Sequence, residues 1–599
     1  MYILGISAFY HDSAAALIHD GRIVAASMEE RFSRKKHDNG YPTQAIQFCL
    51  DLAGITVDDL DYVVFYEKPL VKFERILLTT LKTFPSSWDV WKEAMVSWLK
   101  EKLWVKNVII NQTGVNYKKI LFADHHMSHA ASAFFTSPFK DAAVLTVDGV
   151  GEWTTTTLGR ATSYFEGETG TNNIELFAEQ RFPHSIGLLY STFTAWLGFR
   201  VNNGEYKVMG MSPYGEPNYV EKIEKVANIN YNTGEYSLNM EYFDYHRSIE
   251  RSYSSKFIDL FGEARVPDAD FMTLKTNPEM KSETPAMKQN QYYADVAASI
   301  QHVTEEALIG ILKELHQRTG LTKVVMAGGV SLNTKANWRL LNETPFDEIF
   351  IHPAAGDDGG ALGAALWAYH MLEGKPRVEK KMPHSYWGKE YSDAECKAFL
   401  DEKGLKYEAF DDKQDQLVDV LVDEMVNKQA VVGLHQGRFE WGPRALGNRS
   451  ILADPRGSEM KEVVNTKIKF REPFRPFAPV ILRDRAAEYF DYPEVQTHEA
   501  PRYMLMVAPF KDEVKHKVEA VNHEGTGRLQ AIDRESNQRY YDIVKGFGDA
   551  TGVPVVLNTS FNLRGEPIVN TPLEAFNTFR NSDIDLLALG SFLVRKPFV

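Results

Sequence analysis

The run Asp124-His125-His126-Met127-Ser128-His129 sets two histidines four residues apart. On a helix, that spacing puts the imidazoles of His125 and His129 on one face, where they can hold one metal ion. His126 points elsewhere. A histidine pair is half a site, and carboxylates must complete it. Asp148, closing an apolar run, and the Asp357-Asp358 pair in Gly356-Asp-Asp-Gly-Gly are the candidates. Plain turn formation by Asp-Gly and satisfied core histidines are the competing readings. Mixed nitrogen and oxygen donors suit iron, zinc or manganese without choosing among them.

Three glycine-rich turns follow apolar runs: Asp148-Gly149-Val150-Gly151-Glu152, Gly328-Gly329 and Gly356–Gly360. Such turns let backbone N–H groups approach phosphate oxygens. Any one of them only reverses the chain; three together point to a nucleotide, although neither a Walker nor a Rossmann fingerprint is present. A second constellation begins at Gly437-Arg438 and runs through Arg444, Arg449, Lys467, Lys469, Arg471 and Arg475. From Arg438 to Arg475 there are nine Lys/Arg and five Asp/Glu. Arginine offers forked donors matched to phosphate oxygens, and lysine a point charge. Phenylalanines and prolines interleave these charges, which favours a folded phosphate pocket over a solvated basic face. His523-Glu-Gly-Thr526-Gly-Arg528 and Asn558-Thr559-Ser560-Phe-Asn562 add small polar donors after strand-like runs, although such residues also satisfy loop backbone. No Gly-x-Ser-x-Gly elbow occurs and no cysteine has a nucleophile's context, so activated-phosphate chemistry is favoured over covalent catalysis.

The elements that must carry these residues read as α/β. Tyr2–Ser7 is a strand, and Ala14–Ile18 and Arg22–Ser27 flank His19-Asp20-Gly21, an Asp-Gly hairpin turn. The pattern returns at Ala142–Val147, Thr154–Gly159 and Glu175–Gln180, a faint duplication of strand, turn and hairpin. Two such halves would form a nucleotide cleft of the actin-like, sugar-kinase type. Lys323–Ala327 and Glu348–His352 are further strands, and Gly360–His370 a small-residue helix. Proline and charge without periodicity around Lys375–Asp393 mark a linker. Helices at Gln414–Lys428 and Leu573–Asn581 and strands at Ala430–Leu434 and Val553–Leu557 then resume. The expected division is residues 1–375, a linker at 376–392, and 393–599.

The 599 residues are 44% hydrophobic and 25% charged, which excludes a disordered chain. The net charge of −14 argues against a general phosphate-backbone binder, so no nucleic acid partner is expected. Two distant cysteines, Cys49 and Cys396, make neither a disulfide framework nor a thiolate zinc site. No apolar window is long enough for a membrane span, and the first residues lack a signal peptide's basic region, so a cytoplasmic protein without a membrane partner is expected.

At these residues the sequence resembles the O-carbamoyltransferases of nodulation-factor and antibiotic biosynthesis, the NodU/CmcH family that includes tobramycin-type enzymes. The motifs are His11-Asp12-Ser13-Ala-Ala-Ala, Glu30-Arg31-Phe-Ser-Arg34-Lys-Lys36-His37, the Asp124–Ala133 run, Pro183-His-Ser-Ile-Gly-Leu-Leu-Tyr, Gly204-Glu-Tyr-Lys207-Val-Met-Gly, Gly442-Pro-Arg-Ala-Leu-Gly-Asn-Arg449 and Asn558-Thr-Ser-Phe-Asn. The resemblance runs nearly end to end. It implies an N-terminal duplicated actin-like/sugar-kinase-like (ASKHA) domain and a C-terminal domain like the threonylcarbamoyl-AMP synthases. In the latter, carbamoyl phosphate and ATP with Mg²⁺ would give carbamoyl-adenylate and pyrophosphate. Arg444, Lys469, Arg475, Arg528 and Asn558, with Arg449 and Ser560, would bind those substrates. The N-terminal domain would pass the carbamoyl group to an alcohol. There His125, His129, Asp148 and Asp358 (or Asp357) would hold iron(II), His11 and Lys36 would lie at the adenylate and acceptor, and Gly149, Gly151, Lys207, Gly328, Gly329 and Asn333 would surround the nucleotide. His11 is the expected base, since imidazole titrates near neutrality. The acceptor is expected to be a small natural product or sugar, with Tyr231–Met280 a candidate wall or an ordinary aromatic insertion.

Two other readings compete. A fused tRNA threonylcarbamoyl-adenosine enzyme would share both domain types, but no Lys/Arg-rich arm is present. A non-enzymatic actin-like switch would not need the separate Arg/Lys pocket.

Overall fold

A computed structural model describes residues 1–100, 102–167, 169–472 and 474–598. Pro473, inside the basic run, and Val599, at the end of the expected second domain, lie outside the described residues. The chain forms two compact units: Met1–Ala26 with Asn39–Met382, and Ser27–Asp38 with Pro383–Val599.

The first unit contains two five-stranded sheets. The first has β1 (Tyr2–Ser7), β2 (Ala14–His19), β3 (Arg22–Met28), β4 (Tyr62–Phe65) and β5 (Ile120–Phe122) in the order β3-β2-β1-β4-β5. The β2–β3 turn is the Asp-Gly hairpin expected, with φ of 48° at Asp20 and 78° at Gly21. The second has β6 (Asp141–Val147), β7 (Thr154–Glu166), β8 (Thr169–Arg181), then β9 (Ala227–Ile229) and β10 (Tyr236–Leu238) as a separate ribbon, and β11 (Lys323–Ala327) and β12 (Glu348–Ile351). Its order is β12-β11-β6-β7-β8, which repeats the first sheet strand for strand when read from the other edge. In each, the first strand pairs antiparallel with its hairpin partner and parallel with the strand that returns later. The faint duplication in sequence is thus a duplication of topology.

Two helices hold the sheets' inner ends. His125–Thr136 and Asp357–Trp367 are buried along nearly their whole length. Small residues permit the approach: a Cβ on Gly363 would strike the Ser128 carbonyl, and one on Gly5 the Ala361 carbonyl. The helix expected at Gly360–His370 begins three residues earlier and ends in a π turn over Ala368–Leu372. The 35-residue helix Pro285–Thr319 had no counterpart in the sequence reading. Within the aromatic stretch Tyr231–Met280, Phe257 and Phe261 are buried against Phe193 and Trp196, with Phe193–Phe261 centroids 5.1 Å apart.

The second unit is a nine-stranded mixed sheet with helices. It contains β13 (Glu408–Ala409), β14 (Val432–His435), β15 (Arg449–Ala453), β16 (Ala478–Leu482), β17 (Met506–Pro509), β18 (Thr526–Ile532), β19 (Val555–Ser560), β20 (Leu586–Leu589) and β21 (Phe592–Arg595), in the order β13-β21-β20-β14-β15-β19-β16-β18-β17. Helices Gln414–Lys428 and Gln538–Thr551 bury Leu417, Leu421, Met425, Ile543, Val544 and Phe547 against Val432, Leu452, Val480 and Val556 of the sheet.

The division corrects the one expected. Ser27–Asp38 belongs to the second unit, because Arg31 donates to the Gly442 carbonyl (3.1 Å) and Arg34 to the Ile568 and Pro567 carbonyls (2.7 and 2.8 Å). The second half of the expected linker is ordered there too: Gly388 and Lys389 bond to the Phe439 backbone, and Ser385 to that of Trp441.

Candidate active site

In the first unit, four donor atoms converge. His125 Nε2 lies 3.1 Å from His129 Nε2, 3.2 Å from Asp148 Oδ2 and 3.6 Å from Asp357 Oδ1. His129 Nε2 is 3.6 Å from Asp357 Oδ1 and 3.8 Å from Asp148 Oδ2. Donors sharing one first-row ion at about 2.0–2.1 Å in tetrahedral array stand about 3.3–3.4 Å apart, so the set fits such an ion. The fit is chemical as well as geometric. Asp357 Oδ1, one of the converging atoms, is a buried polar atom with no hydrogen-bond partner among the described residues.

Each donor is placed by its element. The 3.6-residue period brings His125 and His129 to one face, as expected. Asp148 follows β6 directly, and its Oδ1 accepts from the Gly329 N–H at 2.9 Å. Asp357 opens its helix. The expected ligand Asp358 is corrected to Asp357: only the Asp357 carboxylate joins the cluster. Successive helical residues diverge by about 100°, so one of the pair aims inward and its neighbour does not. Asp358 is also buried, with Oδ1 turned toward Gly356.

Charge balance explains the ionisation of the ion-free cluster. Burial disfavours a charged His125, but Asp357, Asp148 and Glu67 outweigh it and hold the imidazole protonated well above its usual range. Burial likewise opposes ionisation of Asp148, yet His125 and His129 keep that carboxyl well below the usual range. His126 is pushed down to about 3 by burial and its two neighbours, and is held by Thr146 and the Thr154 carbonyl, apart from the donor set. His11 keeps Nδ1 2.9 Å from Asp12, with Nε2 3.9 Å from Asp357. Against burial, Asp357 and Asp12 raise it to about 9.

Two glutamates whose roles the sequence did not announce stand beside the cluster. Glu67, directly after β4 and Tyr66, forms a buried pair with Lys72 (2.7 Å) and lies 3.8 Å from His125 Nδ1. Glu152 accepts from the His125 and Lys68 N–H groups, satisfying the helix start. Strand ends were the available signal for Tyr66 and Glu67, but neither sits in a motif with recognisable spacing.

The expected nucleotide residues divide. Gly151 is required by contact, since a Cβ there would meet the His125 ring at 2.9 Å. Gly149 receives the Ser185 hydroxyl on its carbonyl (2.7 Å). Gly328 has φ of 94° and crosses close over Val147. Asn333 caps helix Thr334–Glu343 and exchanges two hydrogen bonds with Gln301, so a structural role uses its amide. Lys207 lies over the Phe199 ring (5.3 Å).

The second unit gathers the cations. Lys469 is buried, and its Nζ donates to the carbonyls of Ser560 (2.7 Å) and Asn562 (2.8 Å) and to Asn562 Oδ1 (2.7 Å). Burial, then Arg471, Arg475 and Lys36, push it well below the usual lysine range. Lys36, expected beside His11, belongs to this unit and this cluster, while His11 belongs to the first unit. Ser560 donates to Asn562, and Arg475 is half-buried beside Glu472 (3.5 Å). Asn558 Nδ2 donates to the Ala445 carbonyl, next to Arg444, and to Gln530 Oε1, two residues along β18 from Arg528. These are brought to one region by the β15–β19–β16–β18 pairing. Arg449 stands apart: it is wholly buried, and its terminal nitrogens donate to the carbonyls of Gln436, Gly437, Asn448 and Lys389. That guanidinium is committed to backbone.

Comparison with known proteins agrees over both units. A family model described as Carbamoyltransferase N-terminus matches residues 2–366, and one described as Carbamoyltransferase C-terminus matches residues 423–596. An uncharacterised protein of Synechocystis sp. is 43% identical over 99% of this chain and 97% of its own. Nodulation protein NolNO of Sinorhizobium fredii is 34% identical over 98% of this chain and 79% of its own. Among solved structures, component A of Acidaminococcus fermentans (R)-2-hydroxyglutaryl-CoA dehydratase aligns with 62% of this chain and 99% of its own, at 16% identity and a TM-score of 0.31. With family matches spanning both units, the chain belongs to the carbamoyltransferase family and is an enzyme of that type.

Proposed function

We propose that the protein is an ATP-dependent O-carbamoyltransferase with separate loading and transfer sites. In the second unit, carbamoyl phosphate loses phosphate to water, and the carbamate oxygen attacks the α-phosphorus of ATP. Carbamoyl-adenylate forms and pyrophosphate leaves. The observation that carries this reading is the buried Lys469, set among Arg471, Arg475 and Lys36 with Ser560 and Asn562 as polar partners. Four cations around so few acidic groups suit a substrate pair rich in phosphate charge. Arg444, Arg528 and Asn558 would complete the pocket wall; Arg449 would shape it from behind.

In the first unit, an alcohol oxygen attacks the carbamoyl carbon, the bond to the adenylate oxygen breaks, and AMP leaves. His125, His129, Asp148 and Asp357 would hold a divalent ion, iron(II) by family resemblance. When bound, such an ion polarises a carbonyl and stabilises developing negative charge on its oxygen. Asp12 holds His11 at Nδ1 and leaves Nε2 for proton exchange. With Asp357 and Asp148 engaged as ligands, their pull on the His11 proton falls, and Nε2 would accept the hydroxyl proton. The acceptor would be a small-molecule alcohol, a natural product or a sugar.

The test is release of pyrophosphate from ATP by the purified protein with and without carbamoyl phosphate. The reading requires release only when both are present, and fails if carbamoyl phosphate has no effect. Given equal adenylate formation, His11→Asn must slow transfer to a hydroxyl; unchanged transfer removes His11 from the role.

A further inference from the structure

A ligating histidine offers an ion one ring nitrogen and keeps a proton on the other. His125 turns Nε2 toward His129 and Asp148, so its remaining proton belongs on Nδ1 when an ion is held. That Nδ1 is buried and lacks a hydrogen-bond partner of ordinary length among the described residues. Glu67 Oε2 stands 3.8 Å from it. The separation exceeds a normal N–H···O length by less than about 1 Å.

The backbone on both sides of Glu67 is fastened to the helix that carries His125. On one side the Ser128 hydroxyl donates to the Tyr66 carbonyl at 2.9 Å. On the other, Glu152 Oε1 accepts from the Lys68 N–H at 2.8 Å and from the His125 N–H at 3.0 Å. Glu67 is thus held at the His125 ring by its neighbours. Its charge is matched by Lys72 of helix Pro69–Thr83, whose Nζ donates to the two carboxylate oxygens at 3.0 and 2.7 Å. Both side chains of this pair are buried, and a buried carboxylate needs such a partner. Neutralising Lys72 is the competing account of Glu67. It does not explain why the pair is built against the one ring nitrogen of His125 that the cluster leaves over.

Histidines that bind metals regularly donate the other ring N–H to a carboxylate, which fixes the tautomer and the ring orientation and makes the ligating nitrogen more basic. We propose that Glu67 is a positioning residue for His125, accepting the Nδ1 proton while Nε2 faces the ion, with Lys72 holding the carboxylate in place. The proposal rests on the divalent-ion reading of the cluster. Glu67 is not itself a ligand: it addresses the other nitrogen of the ring and lies outside the four-donor set. Lys72 also lies 4.9 Å from the Tyr10 ring, so the same pair touches the segment that carries His11.

Titration of the full-length protein with zinc and with cobalt(II) against a chelating dye tests this, using two double variants that strand no charge. Glu67→Leu with Lys72→Met removes the acceptor; Glu67→Gln with Lys72→Met keeps an uncharged one. The leucine variant should bind about 10–100-fold more weakly than the parent. The glutamine variant should bind tighter than the leucine variant by about threefold or more, which a packing role alone would not produce. A second measurement needs no variant. In the zinc-loaded parent with isotopically labelled histidine, the Nδ1 proton of His125 should resonate farther downfield than that of His129, whose Nδ1 has no hydrogen-bond partner among the described residues. The proposal is overturned if both variants bind like the parent, if both lose affinity equally, or if the two Nδ1 protons resonate alike. A parent that binds neither ion is a different failure: it overturns the metal reading, and this assignment with it.

Discussion

Replacing Asp357 by asparagine should weaken divalent metal binding, and replacing Asp358 should not. Asp357 Oδ1 is one of two anionic donors, 3.6 Å from both histidine Nε2 atoms, and all four donor residues are buried. Changing a residue behind a ligand commonly costs 10–100-fold in affinity, so losing a charged donor should cost about 100-fold at least. At an ion concentration about 100 times the parent Kd, binding adds about 2.7 kcal/mol to the stability of the first unit. A 100-fold weaker variant would then sit at its own Kd and gain about 0.4 kcal/mol. Urea unfolding with and without iron(II) or zinc, read beside direct titration against a chelating dye, gives both quantities. Asp358→Asn should keep its affinity within about tenfold. Equal stabilisation of the parent and Asp357→Asn would refute the assignment, as would an equal loss in Asp358→Asn.

In chelator-treated protein, the raised His125 contributes stability that is complete below its unfolded value of 6.5 and lost as pH climbs through its folded value; the raised His11 does the same, through about 9. The depressed Asp148 contributes above 3.8 and loses its contribution as pH falls through the folded value. Ion-free stability should therefore be greatest between about 4 and 6.5 and decline toward pH 9, and denaturant titration showing a steady rise over that range would contradict the cluster's charge balance. Metal binding must displace the His125 proton, so calorimetry in buffers of different ionisation enthalpy should register proton release. Arg449→Met should destabilise the second unit by about 3–5 kcal/mol, measured by chemical denaturation, because it strands several buried carbonyls and removes a cation matched to them. Gly363→Ala should cost about 1–3 kcal/mol and loosen metal binding, since its methyl group drives the Asp357 helix off the His125 helix; unfolding and dye titration on one preparation check both.

Local signals carried much of this arrangement. The histidine pair, the Asp-Gly hairpin turn and the Gln414–Lys428 helix are written in short-range spacing and appear in the structure as such. The doubled aspartate could not be resolved from sequence, because which carboxylate turns inward depends on where the helix begins, and that is fixed by Gly356 and the packing of Gly363. Glu67 was invisible for a related reason, since it reaches the cluster through the fold with no partner nearby in sequence, and the glycine-rich turn that ends at Glu152 gave no sign that its carboxylate accepts from the His125 N–H. Helix Pro285–Thr319 lacks strong apolar contrast, and its register comes from what packs around it. The segment that carries Lys36 is grouped with the second unit because two arginines upstream tie it to carbonyls hundreds of residues away, contacts that no local spacing announces.

That tie has a topological consequence. The backbone leaves the first unit at Ala26, serves the second through Asp38, returns, and departs finally after Met382. No single cut in the chain can separate the two units into whole pieces. A fragment starting at Pro383 would lack Arg31, Arg34 and Lys36, and one ending at Met382 would carry a twelve-residue guest with nothing to hold it. The two units are thus stitched into one heritable whole, and any attempt to express either alone must first re-route the thread.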